Sequence, residues 1–141
     1  MKLRLLDILA CPADKHWPLK IHIFKEKKLK EAILPKANET TGVVCKYYCG
    51  KKKITLTKQN TKTSSDTSIK TRNEVNYTTD CKECMATEII AGIIQCDECG
   101  GFYPIIEEIP IMLEEELRNQ DRELAFVSKW SDKIKNLNKK K

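Results

Sequence analysis

The sequence predicts a small α+β fold in which short strands are held together by cysteine clusters and followed by a C-terminal helix. Three observations carry this. The chain has 141 residues, few aromatics and a third of its residues charged, so its apolar core is modest and calls for a metal or disulfide staple. Seven cysteines are available for one, falling at 11, 45, 49, 81, 84, 96 and 99. The apolar pattern also changes along the chain, from strand-like alternation before residue 113 to a helical period after residue 117.

Residues 1–10 carry Leu3, Leu5, Leu6, Ile8 and Leu9 around Asp7, and Leu5, Ile8 and Leu9 fall at helical spacing, which predicts a short helix running into Cys11-Pro12. Residues 17–24 alternate, with Leu19, Ile21 and Ile23 on one side and Lys20, His22 and Phe24 on the other, the mark of a strand. Residues 25–28 read as a charged turn and 29–34 as a returning strand before Pro35. Residues 43–50 read as a strand entering a cysteine knuckle, and Ile54 and Leu56 alternate with threonines on an exit strand. The Thr-, Ser-, Asn- and Lys-rich residues 58–80 can bury little, so a long loop or weak hairpin is expected. Residues 88–95 form an apolar strand feeding Cys96. In the tail, Leu117, Leu124, Val127, Trp130, Ile134 and Leu137 recur at intervals of three, four or seven, a single apolar stripe along a C-terminal helix. Glu114, Glu115 and Glu116 precede it and Lys139, Lys140 and Lys141 follow, the order its dipole favours.

The strongest motif is Cys96-Asp-Glu-Cys99-Gly-Gly. Two thiolates three residues apart, with glycines to let the backbone curl, can grip one metal ion. That is half a tetrahedral site, and Cys11 supplies a third donor. For the fourth, Asp14 offers the tighter Cys-x-x-Asp spacing. His16 offers a neutral imidazole that limits the negative charge gathered by three thiolates, and it is the expected ligand. A second set, Cys45, Cys49, Cys81 and Cys84, is a complete group of four thiolates in zinc-ribbon order, although its first pair is one residue wider than the usual knuckle. Neither set leaves an open coordination position or has a nearby base, so both read as structural sites.

Residues 25–88 hold 14 Lys/Arg against 8 Asp/Glu, which accounts for the whole net charge of +6. A basic middle of this kind offers a surface to RNA or to an acidic protein, or simply aids solubility. The chain shows no signal-like segment and no apolar run of membrane-spanning length, so a cytoplasmic protein is expected, in which paired cysteines favour metal over disulfide. There is no Gly-rich phosphate loop and no Ser/His/Asp set. The Cys-x-x-Cys pairs lack the βαβ context of a thioredoxin-like redox protein. Binding outranks catalysis.

Two segments carry a family resemblance: Met1-Lys-Leu-Arg-Leu-Leu-Asp-Ile-Leu-Ala-Cys-Pro12 and the stretch from Cys96-Asp-Glu-Cys99-Gly-Gly-Phe-Tyr-Pro-Ile-Ile-Glu-Glu to Ile109-Pro-Ile-Met-Leu113. Together they resemble the methyltransferase-activator family, small zinc-binding subunits that activate tRNA, rRNA and release-factor methyltransferases. The resemblance implies a zinc-ribbon-like antiparallel sheet built from both chain ends (1–24 and 89–117) around an inserted central region (25–88), which here departs from the family in being basic and looking like a second Cys-rich ribbon; the apolar stripe adds a C-terminal helix with a basic tail (118–141). It further implies a protein without activity alone that forms a heterodimer with S-adenosylmethionine-dependent methyltransferases acting on tRNA and other translation components. The partner would meet Leu5, Leu6, Ile109, Pro110, Ile111, Met112 and Leu113. Zinc is the implied cofactor; a second ion for the inserted set rests on its four cysteines and not on the resemblance. The competing reading is a nucleic-acid-binding zinc ribbon, with RNA contact through the basic insertion.

Overall fold

The computed structural model describes residues 1–36, 43–56 and 77–138. Its centre is β4 (Thr87–Gln95), whose residues are all buried or half-buried. β4 pairs with β1 (Lys20–Lys28) on one side and β5 (Phe102–Ile106) on the other, and β6 (Ile109–Pro110) adds to β5, giving an antiparallel sheet of order β1-β4-β5-β6. The strand reads as a continuous apolar run because both of its faces are covered. One face carries Met1, Leu3, Leu6, Leu19, Ile89, Ile94, Tyr103 and Ile105. The other carries Phe24, Ala91, Ile93 and Phe126.

Strict alternation would send Ile89, Ala91 and Ile93 to the same side. The β1–β4 ladder has two irregularities, leaving Phe24 unpaired on β1 and Ile90 unpaired on β4. An extra residue in one strand reverses the side-chain phase beyond it, so Ile89 joins the first core and Ala91 and Ile93 the second. Gly92 lies beside this bulge, where a Cβ would stand 2.5 Å from the carbonyl oxygen of His22. Backbone cannot retreat as a side chain can, and Gly92→Ala is expected to destabilise the domain by roughly 2–4 kcal/mol, read as a lowered denaturant midpoint.

β1 is longer than the sequence predicts. The expected turn at residues 25–28 is its second half, and among the described residues no strand follows at 29–34. An edge strand faces water on its outer side and tolerates charge there. Lys27 pairs with Glu108, and Lys28 lies 3.6 Å from Glu83. The sheet therefore runs past the expected boundaries at 24 and 89.

The short helix expected in the N-terminal segment is present as a 3-10 turn (Leu3–Asp7), burying Leu3, Leu6 and Asp7. A period of three selects Leu3 and Leu6, where the expected helix would have selected Leu5, Ile8 and Leu9; Ile8 stays 71% exposed. Ahead of the turn, Met1 and Ile89 exchange backbone hydrogen bonds of 2.7 and 2.8 Å.

In the insertion, β2 (Tyr48–Cys49) and β3 (Ile54–Thr55) form a short hairpin. Cys81 and Cys84 lie on helix α1 (Tyr77–Ala86), not on a second ribbon knuckle. The loop expected for 58–80 otherwise lies outside the described residues. The C-terminal tail is two helices, α2 (Gln120–Lys129) and α3 (Ser131–Asn138), where one was expected. Asn119 caps α2, its side chain accepting from Arg122 N–H at 3.0 Å, and the break falls at Trp130. The tail's apolar stripe is a packing face: Val127, Trp130, Ile134 and Leu137 close over the second core, with Phe24 against Phe126 and Trp130. Leu117 and Leu124, from the same stripe, remain exposed.

Candidate metal centre

Cys11 ends the N-terminal segment, and Cys96 follows the last residue of β4. Antiparallel pairing puts Lys20 opposite Gln95, so the start of β1 and the end of β4 are neighbours, and the residues just outside them meet. Cys96 and Cys99 flank the β4–β5 turn, in which Cys96 N–H donates to Gly101 O at 2.9 Å and Gly101 N–H donates to Cys99 Sγ at 3.4 Å. Gly100 takes a φ of +73° there, a conformation that costs glycine little.

The result is a group of four donors, Cys11, Asp14, Cys96 and Cys99, whose ligand atoms all lie within 4.8 Å of one another. The Sγ atoms of Cys11 and Cys99 are 3.6 Å apart, and the Cys96 thiol donates to Asp14 Oδ2 at 3.3 Å. Three sulfurs and a carboxylate oxygen at these separations can close around a single metal ion. Cys11 and Cys96 are fully buried and Cys99 and Asp14 exposed, so the site sits at the margin of the first core.

The donor grouped with the three thiols is Asp14, where charge led to the expectation of His16. Lys15 adopts a left-handed φ of 62°, and its N–H donates to Cys11 O at 2.9 Å while Cys11 N–H donates to His16 O at 3.0 Å. This tight reversal turns Asp14 towards the thiols. His16 contributes its backbone, with its N–H donating to Asp14 Oδ1 at 2.8 Å; its imidazole lies 4.0 Å from Glu98. That backbone donor, followed by the thiols, holds the Asp14 carboxyl well below the usual carboxylate range. Burial pushes Cys96 up to about 12 against the pull of backbone donors at Cys99 and Glu98. Burial also raises Cys11, but the hydrogen bond with Tyr103 Oη (3.1 Å) and nearby backbone donors outweigh it, and its thiol ends below the ordinary value. Asp14→Asn is expected to weaken metal retention at least about tenfold in competition with a chromophoric chelator, with His16→Ala close to wild type.

Cys45, Cys49, Cys81 and Cys84 line one cavity of about 20 Å³ beneath the hairpin. Burial, Asp7 and the neighbouring thiols push Cys45 up to about 12, and burial with the neighbouring thiols pushes Cys84 to about 11. They do not approach one another as closely as the first four donors.

Of the expected partner-facing residues, Leu6 is 1% exposed and belongs to the core, and Leu5 packs against it. The 3-10 turn, which sequence periodicity did not reveal, is the reason. Ile109 and Leu113 are 56% and 46% exposed. Pro110, Ile111 and Met112 are half-buried, and Met112 touches the first core. This run follows a tight β5–β6 turn in which Glu107 and Glu108 both have positive φ, 50° and 71°, the geometry that aligns a two-residue hairpin with sheet twist. Among the described residues β6 has no strand on its outer side. An exposed, apolar strand edge is thus set beside the donor cluster's own sheet. No helix of the described residues is long and apolar enough to cross a membrane.

A family model described as Trm112p-like protein matches residues 2–108. A search of curated protein sequences gives no match. Among solved structures, a chain of the E. cuniculi Mtq2–Trm112 complex, responsible for methylation of the eRF1 translation termination factor, matches with a TM-score of 0.51 and 18% identity. The match covers 81% of this chain and 96% of that one. At that identity the likeness is one of fold.

Proposed function

The chain belongs to the Trm112p-like family, and from that premise we propose that it is a non-catalytic, zinc-binding subunit that stabilises and activates S-adenosylmethionine-dependent methyltransferases acting on tRNA and other translation components in the cytoplasm. The observation that carries this reading is the open edge at Ile109–Pro110, continued by Ile111, Met112 and Leu113. A strand edge offers backbone hydrogen bonds and apolar side chains together, which suits it to prolong a partner's sheet while covering an apolar patch. The fold it shares with a chain of a methyltransferase complex supports the same reading.

Cys11, Asp14, Cys96 and Cys99 would hold the zinc. A thiolate-rich set with one carboxylate suits that ion, and four protein donors complete its tetrahedron. When bound, zinc supplies a cross-link and no reaction chemistry. The chain's own residues then fix the sheet: Tyr103 steadies Cys11, and the Arg118 guanidinium lies 5.4 and 5.8 Å from the rings of Phe102 and Tyr103 while pairing with Glu123 at 2.8 Å. The C-terminal segment is thereby tied to the strand that bears the knuckle.

Affinity purification of the full chain from its own cells is expected to recover one or more methyltransferases in one-to-one complexes. Recovery of none, together with tight, salt-sensitive RNA binding by the isolated protein, would replace this reading with the nucleic-acid-binding one.

A further inference from the structure

The second cysteine set shares no residue with the donor cluster or the β6 edge, and the activator reading does not use it. Its four thiols come from three places in the sequence: Cys45 in the loop before the hairpin, Cys49 at the end of β2, and Cys81 and Cys84 on α1. Residues three apart on a helix share a face, so one face of α1 presents two sulfurs. Those sulfurs line the same cavity as Cys45 and Cys49. The cavity's size, about 20 Å³, admits a single body about as large as a water molecule. Its remaining walls are Val43, Val44 and Met85, with Arg4, Lys51 and Lys52 at the same cavity. A water there would find few of the two to four polar partners it needs. Four thiolates around a divalent cation would carry a net charge of about −2, which the basic side chains at the cavity would offset only in part, since Lys51 also pairs with Glu83.

The scaffold around these thiols is already built. The buried Asp7 carboxylate accepts the backbone N–H groups of Lys46, Tyr47 and Tyr48 at 2.7, 2.7 and 2.6 Å. It thereby fixes the arc that joins Cys45 to Cys49. Gly50 follows, where a Cβ would meet Leu3 O at 2.8 Å and Leu6 Cδ1 at 2.9 Å, so the hairpin lies hard against the N-terminal turn. On the other side, α1 is held near its end by Lys2 Nζ donating to Met85 O at 2.7 Å, Thr87 Oγ1 donating to Glu83 O at 2.9 Å, and a Lys51–Glu83 pair. Two anchored elements therefore face each other across four sulfurs. The hairpin itself contributes only two paired residues per strand, too little to order an insertion without a staple.

We propose that Cys45, Cys49, Cys81 and Cys84 form a second, tetrathiolate metal site, of the zinc class, that locks the insertion onto the N-terminal turn. Zinc–sulfur bonds of about 2.3 Å would draw these thiols closer than they now stand. No electron transfer is involved; each thiol gives up its proton to solvent as the ion binds.

The test is metal counting on the purified full chain by native mass spectrometry and elemental analysis. It is read without any methyltransferase, so its outcome is independent of the activator reading. Two zinc ions per chain are expected, falling to one in Cys81→Ser/Cys84→Ser. Should this variant fail to fold, the wild-type protein carries a second readout: all seven cysteines should resist alkylation until a chelator is added. One zinc in the wild-type chain with Cys45, Cys49, Cys81 and Cys84 alkylated at once would overturn the proposal. So would disulfides among these four with no second zinc after reduction.

Discussion

Cys99→Ser loses the metal at the chain-end site and with it the folded sheet, although Cys99 is exposed and its packing is worth little. That is the expected result, and the magnitudes decide it. An exposed substitution away from special features changes stability by about 0.5 kcal/mol or less, whereas a structural zinc contributes roughly 10–16 kcal/mol of apparent binding free energy. A whole domain is stable by only about 5–15 kcal/mol. Losing the ion should therefore unfold most of the protein at room temperature. Cys96→Ser would confound this, because Cys96 is fully buried in the first core, and its replacement also disturbs packing. The check is elemental analysis alongside far-ultraviolet circular dichroism, with chelation of the wild-type chain giving the same spectrum. A Cys99→Ser protein that melts at the wild-type temperature would rule out a structural ion at this site.

The second large effect concerns the partner edge. Ile109→Asp/Leu113→Asp is expected to weaken methyltransferase binding by about a hundredfold or more, with the thermal midpoint of the isolated chain nearly unchanged. Burying two such side chains contributes about 3 kcal/mol or more at roughly 1.5–3 each, and 1.4 kcal/mol is a tenfold change in affinity. Both residues are exposed in the isolated chain, so the substitution leaves the core whole. Ile105→Ala is the contrast: Ile105 is fully buried, and its truncation should lower stability by about 2–5 kcal/mol. Equal binding by the Asp/Asp variant and the wild type, measured by titration calorimetry, would move the interface elsewhere.

The Cys96–Cys99 knuckle was legible because its spacing and glycines report local geometry directly, and Cys11 followed because half a tetrahedral site needs donors from elsewhere. β4 was legible as an uninterrupted apolar run between polar boundaries. Three features were not. Asp14 displaced His16 because one left-handed residue, Lys15, redirects the loop, and a lysine gives no hint of positive φ. The second half of β1 is charged because it is an edge, and edge position is a property of the assembled sheet. Leu6 is buried by a three-residue period too short to be told from a helical one over five residues. The insertion was half legible: its cysteines were found, but α1 takes its place from contacts with the hairpin and the N-terminal turn.

The chain-end donor set has a consequence for biosynthesis. Cys11 and Cys99 are 88 positions apart, with the whole insertion between them. On the ribosome, Cys11 and Asp14 emerge early and wait exposed while β4 and its knuckle are still being made. The loop-closure entropy for such a separation grows only with the logarithm of its length, so the delay is set by translation, at about 5–20 residues per second. Closing the sheet is thus a late event, and for several seconds the nascent chain holds an unpaired half-site open to whatever metal or oxidant it meets.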